Sequence, residues 1–167
     1  MLPFVRPASG VWAAPMLIRG RLAVLGAAVV LLVGCTTHRV GPARTYDDFE
    51  RKARTTAEDS LSAVETVRLL AEVSANGDAF GPYLSVSVSE QEDTLAGIEG
   101  DFASIQPPGP RSDALRDELT PILDAASTHV ADVRVAIRRG NLRAADSVAA
   151  PLSADADALR TFLEQLG

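Results

Sequence analysis

Residues able to do chemistry are sparse in this chain, and the sharpest pair is His129 with Asp132. The spacing His-Val-Ala-Asp sets an imidazole and a carboxylate on adjacent turns of one helical face, where a metal or a proton transfer could use them. Two features weigh against a metal. Di-iron bundles carry Glu-x-x-His twice, whereas position 126 is Ala and the other histidine, His38, precedes every helical pattern. A single cysteine, Cys35, leaves no Cys/His zinc set. No metal and no cofactor is expected, and His129 reads as a polar residue at or beside a helix seam. Gln91 also occupies a seam position, where it either anchors a ligand or, the preferred reading, fixes helix register as a buried polar group.

Nucleophilic chemistry has less support. Ser85, Ser87 and Ser89 lie close together, yet there is no Gly-x-Ser-x-Gly elbow or Ser-x-x-Lys motif, and Lys52 is the sole lysine. Paired acids such as Glu90 with Asp93, or Asp117 with Glu118, fit a solvated helix face. No Gly-rich phosphate loop is present. The expectation is a protein that binds and does not catalyse.

Four amphipathic stretches must position these residues. Thr45 and the acids Asp47 and Asp48 supply an N-cap and a first turn. Apolar or small residues then recur in steps of three or four from Tyr46 through Phe49, Ala53, Ala57, Leu61, Val64, Val67 and Ala71, until Asn76-Gly77-Asp78 stops the helix. Tyr83 to Ser89 alternates like a half-buried strand. However, Leu84, Val88, Gln91, Leu95, Ile98, Phe102 and Ile105 keep a heptad step through and past it, so a second helix is expected over about 82–104, ended by Pro107-Pro108-Gly109-Pro110.

Ser112 and Asp113 should open a third helix with the stripe Leu115, Leu119, Ile122, Ala126, Val130, Val133 and Ile137, closed by Gly140-Asn141. A fourth should bury Ala145, Val148, Leu152, Ala156, Leu159, Leu163 and Leu166. Pro121 and Pro151 fall inside these helices and should kink or restart them; alternatively, Thr120-Pro121 splits the third as cap and first position. With short connections, the expected fold over residues 45–167 is all-α, an antiparallel up-down-up-down four-helix bundle.

Ahead of this domain, Arg19 and Arg21 precede twelve apolar or small residues, Leu22 to Val33, and then Gly34-Cys35. As a helix those 12 residues would reach about 18 Å at roughly 1.5 Å per residue, short of a hydrocarbon core of about 30 Å. Cations, a short apolar run and a small-residue end are the parts of an export signal. Leu32-Val33-Gly34-Cys35 resembles the bacterial lipoprotein box, which implies cleavage before Cys35 and attachment of lipid to its thiol. Residues 1–34 would then be the signal peptide, with 1–15 either an extended n-region or upstream of a true start at Met16. Residues 35–44 would be the lipidated cysteine and a short tether, and the domain would sit on the extracytoplasmic side of the cell membrane.

From Cys35 onward the chain carries 13 Arg and Lys against 22 Asp and Glu, a net charge of −9, which should repel nucleic acid and anionic head groups, so that membrane contact is expected to rest on lipid. It has no tryptophan there and two tyrosines, Tyr46 and Tyr83, so a glycan site built on stacking rings is not expected. The arginine-rich, alanine-rich composition resembles actinobacterial coding. Tyr83 to Leu95, read as Tyr-Leu-x-Val-x-x-Ser-Glu-x-Glu-Asp-x-Leu, and Phe102 to Pro108 are similar to small actinobacterial lipoproteins of unassigned function, which imply no catalytic residues. The His-x-x-acid pair faintly resembles the His-x-x-Glu of imelysin-type helical lipoproteins, although the acid differs and the chain is short for them.

Arg138, Arg139 and Arg143 form a dense basic cluster around Gly140-Asn141. The helix dipole accounts for a cation at a C-terminus, worth about 0.3 to 1 kcal/mol, but not for Arg143 in the first turn of the next helix. This tip is therefore a candidate contact surface for an envelope protein or lipid, and is expected at the tether's end of the bundle, facing the membrane. The functional expectation is a non-catalytic interaction or structural module held by Cys35; the alternative is a binder of a small apolar ligand or lipid in a cavity between helices.

Overall fold

The computed structural model of the protein describes residues 41–167. Among the described residues the regular structure is entirely helical. Helix α1 spans Tyr46–Asn76, α2 Gly81–Ser104 and α3 Pro110–Arg138, followed by a 3₁₀ turn over Leu142–Ala144, a short α4 over Ala145–Ala149 and α5 over Leu152–Gln165. The alternating stretch at Tyr83 to Ser89 is helical. Period decided it: Leu84, Val88 and Leu95 are fully buried on one face.

Local chemistry sets the ends. Thr45 Oγ1 accepts from the Asp48 N–H at 3.1 Å, capping α1. Gly77, at φ 77°, closes it: its N–H donates to Ser74 O, and the Asp78 N–H reaches back to Val73 O. Gly140, also at φ 77°, closes α3 in the same way, with N–H bonds from Gly140 to Ile137 O and from Asn141 to Ala136 O. A side chain would be strained at either glycine, because Cβ meets the backbone in the left-handed region.

The prolines behave differently from one another. Pro110 is the first residue of α3, where its missing N–H would have had no helical partner, so the helix opens two residues ahead of Ser112. Pro121 neither splits nor ends α3, which runs on to Arg138. It lies on the exposed side, where the carbonyl it leaves without a donor can turn to water. Pro151 does interrupt the last helical segment, but through hydrogen bonding rather than direction. Ala150 and Pro151 keep right-handed helical angles, and tighter bonds from Ser153 N–H to Ala150 O and Ala154 N–H to Pro151 O restart the ladder.

The core runs the length of the helices. Phe49, Val64, Val67, Leu84, Val88, Leu95, Leu119, Val130, Val133, Leu152 and Leu159 are fully buried. In α5 the stripe is rotated from the expected one: Phe162 is buried, while Leu163 and Leu166 are only partly so. α1 packs on α2, α3 and the α4–α5 segment, α2 on α3, and α3 on α4 and α5. At one end, Arg111 stacks 3.6 Å over the Tyr46 ring and Phe49 meets Phe102 at 5.6 Å. That end gathers the starts of α1 and α3 with the finish of α2. At the other, Ser74 Oγ donates to Leu142 O at 3.1 Å.

Candidate functional site

His129 finds its carboxylate on another helix. Its Nδ1 lies 2.6 Å from Oδ2 of Asp155 on α5, rather than pairing with Asp132 one turn away. Asp132 is exposed. The Asp155 side chain is 8% exposed and that of His129 is 31% exposed. An ionised carboxylate only accepts, so this contact makes Nδ1 the donor and leaves Nε2 as the ring's available nitrogen. Such a carboxylate-oriented imidazole can act as a base or a ligand. Among the described residues, however, no hydroxyl hydrogen-bonds to the ring, and no group of three His, Cys, Asp or Glu side chains converges as metal ligands would.

Asp155 was the residue sequence reasoning passed over. The available signal was an acid three residues after Leu152 and four before Leu159, inside an apolar stripe. Buried acids need partners, and only the tertiary contact supplies one. Gln91 lies partly buried on α2. The polar links at the α2–α3 seam lie beside it: Arg134 pairs with Glu92, and Ser127 Oγ donates to Glu99. Burial pushes the Glu99 carboxyl above its ordinary range; the Ser127 hydroxyl opposes this, and nearby Asp124 adds to it.

Among the described residues, two of the grooves between helices carry a mainly apolar lining. One of about 530 Å³ between α2 and α3 is lined by Glu99, Phe102, Arg116, Leu123 and Asp124. The Arg116 guanidinium lies within 6.0 Å of the Phe49 and Phe102 ring centres, and its buried Nε and Nη2 have no hydrogen-bond acceptor among the described residues; the ring faces are its neighbours. The second groove, about 470 Å³ between α1 and α2, has an apolar floor of Ile98, Phe102 and Ile105 under a rim carrying Lys52, Asp59 and Asp101.

Arg138, Arg139 and Arg143 are all exposed, and none forms an ion pair among the described residues. Their position corrects the expectation from sequence. Leu142, between them, is bonded to Ser74 near the finish of α1, while the start of α1 meets the start of α3. The arginine tip thus lies at the end opposite Thr45, not at the end where α1 begins. Two helices that start together also finish together, and the placement expected from sequence overlooked that parity. Leu32, Val33, Gly34 and Cys35 lie outside the described residues. No helix of the described residues is long and apolar enough to cross a membrane. No protein-family model, curated protein or solved structure matches the chain.

Proposed function

We propose that the protein is a lipid-anchored, extracytoplasmic lipoprotein of the cell envelope whose helical domain is a non-catalytic interaction or structural module. The observation that carries this reading is the run from Arg19 to Cys35, with its cations, short apolar stretch and Leu-Val-Gly-Cys end. Several acyl chains on Cys35, at about 0.8 kcal/mol per buried CH₂, would hold the chain where one chain would not. The domain is an antiparallel up-down-up-down bundle in this reading. Its support is the constant sum of paired residue numbers along the α2–α3 seam, where Glu92 meets Arg134 and Glu99 meets Ser127.

The test is expression of the full chain and of Cys35→Ala in a bacterium supplied with labelled palmitate. The native chain should take up label and fractionate with membranes, and C35A should do neither. Equal labelling and processing of the two would refute the anchor. A second reading, a binder of a small apolar ligand or lipid, is favoured by the Ile98, Phe102 and Ile105 floor of the α1–α2 groove. A lipid-sized adduct in native mass spectrometry, lost in Ile98→Asp, would support that reading.

A further inference from the structure

We propose that the end of the domain remote from Thr45 docks onto an anionic phospholipid surface. This deepens the reading of an interaction module by naming its partner, and it does not require lipid on Cys35. Of the four exposed large apolar side chains among the described residues, Leu69 at 59% stands on α1, and the other three, Phe80 at 75%, Tyr83 at 61% and Val86 at 57%, begin at the α1–α2 turn. Their steps of three keep them within one side of the first turns of α2. The stripe is confined to this end, because the next outward positions are Glu90 and Asp93, both exposed acids.

The arginines stand at the same end as this stripe. A Cβ at Gly81 would lie 3.7 Å from Cδ1 of Leu142, so the residue next to Phe80 lies near the residue next to Arg143. Arg138 and Arg139 flank a shallow concavity of about 330 Å³ with Val135 and Arg134. Since Glu92 holds Arg134, the charges open to an incoming phosphate are those of Arg138, Arg139 and Arg143. Glu72, Asp78 and Asp146 are exposed acids at the same end, so the local balance is three cations to three anions on a chain otherwise strongly acidic.

Side-chain chemistry favours a headgroup layer over a peptide: the turns Gly77 to Phe80 and Arg139 to Asn141 lie at the same end of the domain, where aromatic rings and guanidinium groups occur together. Rings settle at the interface and arginines take phosphate oxygens in pairs. The geometry also limits which bilayer is met. α1 has 31 residues, about 46 Å at roughly 1.5 Å per residue, and Ala43 is packed against the core. Thr36 to Pro42 reach about 25 Å at full extension. A domain anchored at Cys35 therefore cannot invert onto its own bilayer; it lies along that surface or meets a second one.

The experiment places an indole at the tip of the full, unacylated chain with Phe80→Trp and removes the native one with Trp12→Phe. Emission and quenching by brominated lipid are read on phosphatidylcholine vesicles and on phosphatidylcholine mixed with phosphatidylglycerol. Position 80 reports its own insertion, however the N-terminal segment associates, so failure here is separable from failure of the anchor. Expected are a blue shift and quenching on the anionic vesicles, weakened by salt, and a loss of at least about tenfold in partition when R138E, R139E and R143E are added. Far-UV circular dichroism should show the helical content unchanged in every variant. An indole that stays in water on both vesicles overturns the proposal and leaves the tip to a protein partner. Equal insertion into neutral vesicles, or no effect of the charge reversals, overturns it as well.

Discussion

The His129–Asp155 contact makes an asymmetric prediction. In His129→Ala the Asp155 carboxylate, 8% exposed, loses the only side-chain hydrogen bond it has among the described residues. A hydrogen bond to a charged group is worth about 1.5 to 3 kcal/mol, and stranding one member of a buried pair costs about 3 to 5 kcal/mol. The imidazole it replaces is 31% exposed, so water can enter the space left behind, and a loss of about 2 to 3 kcal/mol is expected. Asp155→Ala removes the buried charge itself and leaves an imidazole that water already reaches; its cost should be about 1 kcal/mol. Asp155→Leu, between Leu152 and Leu159 on the apolar stripe, should be near neutral, and His129→Ala/Asp155→Leu should recover most of the loss in the single histidine variant. The assay is urea unfolding followed by circular dichroism. With a slope of about 2 kcal/mol per molar urea, His129→Ala should lower the midpoint by roughly 1 to 1.5 M. A histidine variant no less stable than Asp155→Ala would refute the reasoning, because it would mean that the carboxylate is hydrated without its partner.

Two further outcomes can be checked in the same way. Leu95→Ala and Leu159→Ala, both at fully buried positions, should each cost about 2 to 5 kcal/mol, and a loss under about 1 kcal/mol would mean that the helices collapse onto the vacancy. Glu99, its carboxyl raised by burial, binds its proton more tightly folded than unfolded. The ionised form therefore penalises the fold increasingly as pH rises from the ordinary carboxylate range through the raised value. Glu99→Gln cannot ionise and still accepts from Ser127, so its melting temperature should exceed the native one at neutral pH and converge with it in acid. A gap that widens in acid would reverse the sign.

By itself, the sequence determined the helices. Thr45, Gly77 and Gly140 act through bonds that reach three to five residues along the chain, and the three-to-four period of Phe49, Val64, Leu84, Leu95 and Val130 outweighed the local alternation at Tyr83 to Ser89. A cap or a stripe is a local property of the chain, and local chemistry suffices to read it. Tertiary structure decided what depends on a second helix. It gave His129 the partner Asp155 instead of Asp132, because a buried acid on α5 needed a donor more than an exposed acid needed one on its own face. It rotated the α5 stripe to bury Phe162, since the neighbouring helices, not the period, set which side of a helix has room for a ring. It let Pro121 remain inside α3, because the carbonyl it leaves without a donor, that of Asp117, belongs to an exposed residue. It also set Arg138, Arg139 and Arg143 at the same end as Phe80 and Tyr83, remote from Thr45: the direction in which a third helix runs follows from how the first two pack, and no spacing within the arginine cluster encodes it.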